Sequence, residues 1–279
     1  MRPRKRKGWH RYINFVTVTI TLTIICTVLP LYWMVAASFR NQNSIITATF
    51  IPKGLTLSNY SQTFGPQDFG RYILNSVIVA VISTVVVLVL ATLAGYGLGR
   101  TPMRGKALIL TSLLMISVFP AVAVIAPLFL VMRLIGWLNS YQALIVPYVA
   151  FNIPFATWIM RNYMLGIPKE MEETSRIDGA NPLRTVWSVI LPQARPGMFT
   201  AAIFTFTACW AEFLMAISFN SDNSYRTIPV EISQFGAQFA VPYALLFAAC
   251  VASVAPIAIL VFVFRRNVVS GLTSGAVKG

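Results

Sequence analysis

Few residues in this chain are placed where they could do chemistry, and most of those fail on spacing. Glu212, in the run TACWAEFLM, is the sole acidic residue inside a long apolar stretch. A carboxylate there is costly unless it faces a polar cavity or a partner, so it marks a site. As the acid or base of an intramembrane enzyme it stands alone. The only histidine, His10, lies in a basic amino-terminal run, which excludes a His-based triad or metal site. Gly65-Pro66-Gln67-Asp68-Phe69-Gly70 has the glycine spacing of a phosphate loop, but it continues Arg71-Tyr72 where Lys-Ser/Thr is required. Gly95-Tyr96-Gly97-Leu98-Gly99 closes an apolar helical stretch and follows no strand, so a dinucleotide reading fails too. Any ATP consumed on behalf of this chain must be bound by another subunit. Cys26, Cys209 and Cys250 are odd in number and fall in apolar runs, which fits inert packing and not a disulfide framework. Asn59-Tyr60-Ser61 matches a glycosylation acceptor by chance frequency.

The elements that must position Glu212 are apolar and long. Hydrophobic residues make up 57% of the 279, charged residues 11%, and mean hydropathy is +0.70; a soluble domain averages about 25% charged. Six stretches approach the ~20 residues needed to cross a bilayer: about 13–37, 72–98, 107–132, 141–160, 198–219 and 242–264. Their length excludes barrel strands, so the expected fold is all-α, a polytopic bundle of six transmembrane helices forming a single domain over 1–279. The first run, about 25 residues, is longer than a signal core, which favours a retained helix. On one continuous helix starting at Met198, Glu212 lies ~21 Å along the axis. Thr205, Ala208, Cys209, Glu212 and Ala216 then share a small or polar face, beside a bulky face of Phe206, Trp210, Phe213 and Ile217. Glu212, Trp210, Phe213 and Asn152 are the candidate lining of a solute pathway, against the alternative that Glu212 fixes helix packing. Asn75-Ser76 and Asn152 suit interhelical hydrogen bonds. Ala91, Gly95 and Gly99 repeat every four residues, a small-residue stripe for close helix contact.

The net charge of +14 sets topology and does not indicate nucleic acid. Seventeen of the 22 cations fall in the amino-terminal tail (1–12), at Arg100–Lys106, in residues 161–197 and in the tail 265–279. By the positive-inside rule those parts, both termini included, are cytoplasmic. Residues 169–197, KEMEETSRIDGANPLRTVWSVILPQARPG, are polar in an otherwise apolar chain, as expected of a grip for a soluble partner. Pro168 suits a first turn, and Glu170, Glu172 and Glu173 suit the positive end of a helix dipole. Gly179 permits a left-handed break. Asn181 then caps a second helix opening with Pro182 and ending near Ile190, before Leu191-Pro192.

Glu173-Thr174-Ser175, then Asp178-Gly179-Ala180, then Leu191-Pro192 resemble the EAA loop of binding-protein-dependent ABC importer permeases, with Thr-Ser where that family has Ala-Ala. Leu57–Tyr60, Asn75-Ser76, Tyr96–Arg100, Pro154-Phe155, Trp210–Phe213 and the tail Gly271–Gly279 extend the resemblance over nearly the whole chain, toward the carbohydrate-importing, maltose-type permeases with short external loops. Ala211 stands where that family commonly has Asn. The resemblance implies a type I importer permease in a prokaryotic cytoplasmic membrane, paired with a second homologous permease. It also implies an ATPase dimer that binds ATP and Mg, an extracytoplasmic sugar-binding protein, a sugar substrate and a surrounding lipid bilayer, with no cofactor, metal or catalytic residue in this chain. Glu172, Glu173, Thr174, Ser175, Ile177, Asp178, Gly179 and Ala180 would couple to the ATPase; Asn223, Glu231 and Gln234 would approach the binding protein. A permease for a polyol or a glycerophosphodiester is the nearer alternative. A phosphorylated solute favours Arg or Lys inside the spans, and the span interiors contain none.

Overall fold

A computed structural model describes residues 7–45, 54–236 and 241–276; side chains of the basic tails 1–12 and 265–279 lie outside that description. Among the described residues every regular element is helical. They are α1 (Lys7–Ser38), α2 (Ser58–Phe64), α3 (Phe69–Arg100), α4 (Lys106–Val118), α5 (Ala121–Leu134), α6 (Gln142–Leu165), α7 (Glu170–Ile177), α8 (Pro182–Thr185), α9 (Leu191–Gln193), α10 (Arg195–Ala211), α11 (Leu214–Phe219), α12 (Ile228–Gly236) and α13 (Tyr243–Ala276). Among the described residues four helices are long and apolar enough to cross a membrane: α1 from Phe15, α3, α6 and α13 to Phe264. Two expected crossings are not straight rods. The stretch 107–132 bends by 88° between α4 and α5, where Pro120 lacks an amide donor and Phe119 is held extended. The stretch 198–219 breaks between α10 and α11, so a single helix through Glu212 does not form.

The chain divides into two compact units, one built from residues up to Asp68 with Phe235–Val254, the other from Phe69–Gln234 with Ala255 onward. In the first, α1 is apolar and exposed along its span. Its end is tied down by polar contacts. The Asn59 amide donates to the carbonyls of Ser38 (2.7 Å) and Arg40 (2.8 Å), which explains why this asparagine is buried. Ser38 and Tyr60 share a hydroxyl hydrogen bond of 2.7 Å. The connection after α1 thus carries a short helix, α2.

The second unit is built on α3, α6 and α10. Val87 and Ala91 of α3 pack with Ala156, Ile159, Met160 and Met164 of α6 and with Ala201 of α10 in one buried cluster. The small-residue stripe is an interface within this chain. A Cβ at Gly95 would lie 2.9 Å from the Met160 Cβ and 2.9 Å from the Arg161 amide nitrogen, so only glycine allows that approach. Gly95→Leu must push the helices apart, at a cost of about 1–3 kcal/mol for overpacking. The expected result is a lower thermal unfolding midpoint for the detergent-solubilised chain, with Gly97→Ala, where the added Cβ meets open space, unchanged.

Candidate functional site

Three places in the second unit carry the candidate residues. The first is the polar segment after α6. Acidic Glu170, Glu172 and Glu173 occupy the first turn of α7 and Arg176 the last, the order the helix dipole favours. Gly179 has φ +78°. Its N–H donates to the Arg176 carbonyl (3.0 Å) and the Ala180 N–H to the Ser175 carbonyl (3.0 Å), the two bonds of a Schellman closure. Asp178 is thus the C-cap residue of α7. The Asn181 side chain accepts the Arg184 N–H at 2.8 Å, capping α8 at Pro182 as its sequence implies. Ser175 and Thr185, both buried, share a hydroxyl hydrogen bond of 2.9 Å, tying α7 to α8.

The second helix does not stop at Ile190. A π-helical turn, Val186–Ile190, carries it into α9. Pro192 has no amide to donate, and a widened turn lets the chain continue without that bond. Of the eight residues read from the sequence as a coupling set, Glu173, Thr174, Ile177, Asp178 and Gly179 are exposed and Ala180 is half-buried. Glu172 and Ser175 point inward. Glu172 is internal: its Oε1 lies 2.6 Å from Nε of Arg100, at the end of α3. The sequence reading missed Arg100 as its partner, although the residue closes an apolar helix on the basic side. Ile177 is 86% exposed, and Leu183 and Trp187 are exposed as well. A cavity of about 170 Å³ beneath the turn is lined by Ser175, Asp178, Ala180, Arg184, Ser188 and Val189.

The second place is the break after α10. Glu212 is extended (φ −69°, ψ 129°) and its carboxylate reaches forward to α11. Oε1 accepts the Met215 N–H at 2.9 Å and Oε2 accepts the Ala216 N–H at 3.1 Å. The Tyr148 hydroxyl of α6 donates to Oε2 at 2.6 Å. Breaking a helix in an apolar medium frees amides that must find partners, and here the acidic side chain supplies them. The helical-wheel face drawn through Ala216 is thus corrected beyond Ala211. Asn152 donates to the Tyr148 carbonyl at 2.8 Å and points at Cys209 Sγ, 3.8 Å away. Trp210 is buried and stacks on Phe206 (5.5 Å between centroids), while Glu212 and Phe213 are half-buried and Ala211 is exposed. Within this chain Trp210 packs against its neighbours. A larger groove, about 610 Å³, lies elsewhere, along Val122, Ile125, Ala126, Phe129, Leu130 and Ser218. Its apolar walls offer a polar solute one hydroxyl.

The loop after α11 is fixed by asparagines. Asn75 donates to the carbonyls of Ser224 (3.0 Å) and Arg226 (2.9 Å) and accepts the Tyr141 hydroxyl (2.8 Å). The Ser76 hydroxyl oxygen accepts the Ile228 N–H (2.9 Å). Buried Asn220, which the sequence reading missed, donates to the Ser140 carbonyl (3.0 Å). Hydrogen bonds from the backbone and hydroxyl of Ser224 hold the Asp222 carboxyl below its usual range, so this loop keeps its negative charge. Asn223 is exposed and Gln234 half-buried. Glu231 is buried and paired with Arg226 at 3.1 Å.

Residues 90–274 match the profile of a family described as binding-protein-dependent transport system inner membrane component. The chain is 36% identical to a sulfoquinovosyl glycerol transport system permease protein of Agrobacterium fabrum, over 96% of this chain and 94% of that one. It is 35% identical to a trehalose/maltose transport system permease protein of Thermococcus litoralis, over 96% and 97%. In structure it shares the fold of a chain from a bacterial ABC transporter involved in import of the acidic polysaccharide alginate, with a TM-score of 0.80 and 22% identity over 95% of this chain and 99% of that one.

Proposed function

The chain belongs to the family of binding-protein-dependent transport system inner membrane components, and on that premise we propose that it is the transmembrane subunit of an ATP-driven sugar importer. It forms half of the translocation pathway beside a second, homologous permease, works with an extracytoplasmic sugar-binding protein, and holds no catalytic site. ATP and Mg belong to a partner ATPase dimer. The α4–α5 pair and the α10–α11 pair complete six crossings in one permease domain, with both termini and the α7–α8 elbow cytoplasmic, as the distribution of positive charge favours.

The observation that carries this reading is the elbow itself, a short helix locked at right places by Gly179 and Ser175–Thr185. It presents Glu173, Thr174 and Ile177 outward for the ATPase. Leu183 and Trp187 extend that face. Asn152, Glu212 and Phe213 stand at the pathway, and Asn223 and Gln234 at the binding-protein side. Uptake by the purified complex in proteoliposomes, with sulfoquinovosyl glycerol, trehalose and maltose in the panel, tests the solute class; uptake of none of the sugars defeats it. Glu173→Lys tests docking. Like charges set against each other across an interface cost several kcal/mol, so ATPase recovered with the tagged permease should fall at least tenfold at limiting concentration. Unchanged recovery removes Glu173 from the interface.

A further inference from the structure

We infer that Arg100 is a positioning residue that locks the coupling helix α7 to α3, making α3 a strut between the elbow and the loop at 224–228; this rests on the importer reading above. Three bonds leave one guanidinium in three directions. Nε meets Glu172 Oε1 at 2.6 Å, Nη1 donates to the Ile167 carbonyl at 2.8 Å, and Nη2 donates to the Pro168 carbonyl at 3.1 Å. The two side chains of the ion pair are only 4% and 9% exposed. The planar fork of arginine suits this, since it fixes both the carboxylate and the linker leaving α6. Glu172 is thereby used inside the subunit, while its neighbour Glu173 remains outward.

The stiffness of α3 makes that tie consequential. α3 runs 32 residues with no proline, whereas α5 contains Pro127 and α6 contains Pro147 and Pro154. From Arg100 to Asn75 is about 37 Å of helix at ~1.5 Å per residue. At that far end Asn75 and Ser76 hold the backbone of Ser224, Arg226 and Ile228. Close packing at Gly95 keeps α3 on α6. A displacement of α7 therefore reaches the opposite side through a rod gripped at both ends, without passing through the proline-bearing helices.

The test measures solute uptake and ATP hydrolysis in the same proteoliposomes. Arg100→Gln should retain the ATPase and hydrolyse ATP, but uptake per ATP should fall about five- to tenfold or more, the range of typical coupling energies. Arg100→Lys keeps the ion pair and loses the fork to the carbonyls, so it should lie between. In a background lacking the three native cysteines, a nitroxide on Asn223→Cys should change its spectrum on ATP addition, and Arg100→Gln should abolish that change. An unaltered uptake ratio, an unaltered spectral response, or loss of the ATPase as in Glu173→Lys overturns the strut. If Arg100→Gln does not accumulate, Glu172→Gln decides: the same fall supports the strut and a wild-type ratio overturns it. A wild-type complex that hydrolyses ATP and moves no solute overturns the importer reading as well.

Discussion

Gly179→Val should cut ATP-coupled uptake by at least tenfold while leaving the chain inserted in the membrane. The argument is confined to the backbone. Gly179 sits at φ +78°, and a Cβ there would meet nothing within 4 Å, so no clash complicates the outcome. The left-handed conformation costs an ordinary L-residue about 1–2 kcal/mol, and for a β-branched residue it is a genuine outlier. Each 1.4 kcal/mol is about tenfold in population. If valine moves the turn out of this region, the Gly179-to-Arg176 and Ala180-to-Ser175 bonds open. The Ser175–Thr185 hydroxyl contact, which needs α7 folded back on α8, opens with them. Asparagine tolerates the left-handed region, so Gly179→Asn should retain much of the uptake. The readouts are uptake, permease in the membrane fraction, and ATPase recovered with it. Wild-type uptake from the valine variant would mean that the bend transmits nothing.

What the sequence made legible here were features with local causes. The acidic first turn of α7, the glycine at its end and the Asn181-Pro182 start of α8 each follow from capping and dipole rules over a few residues. The stripe Ala91, Gly95, Gly99 was legible for the same reason, since its spacing is one helical repeat. Partners were not legible where they lie far along the chain. Glu172 and Glu173 are adjacent and alike, and only the arrival of Arg100 from α3 makes one internal and the other external. The pairing of Glu231 with Arg226 is close in sequence, yet it too depends on how the loop returns. Hydropathy also could not show the interruptions. An apolar run from 198 to 219 reads as one crossing, and only the Glu212 carboxylate folding onto two amides reveals where the helix parts.

That break sets the other large expected effect. Glu212→Leu leaves the Met215 and Ala216 amides and the Tyr148 hydroxyl without the acceptor each now has. A buried donor stripped of its partner costs about 1–3 kcal/mol, and three together are enough to let the break re-form as helix or splay. Uptake should be lost and the thermal midpoint should drop. Glu212→Gln keeps one acceptor oxygen, and the Tyr148 hydroxyl can turn to accept from the new amide, so a single backbone N–H is orphaned. Tyr148→Phe removes a donor and leaves both amides capped. The expected order of damage is Leu, then Gln, then Phe, in uptake and in stability alike. A carboxylate that served by its charge toward the solute would give another order: Gln as damaging as Leu, an altered KM for the sugar, and Tyr148→Phe silent. The two orders separate a helix-capping Glu212 from a solute-binding one. Three hydrogen bonds already committed to protein donors favour the first.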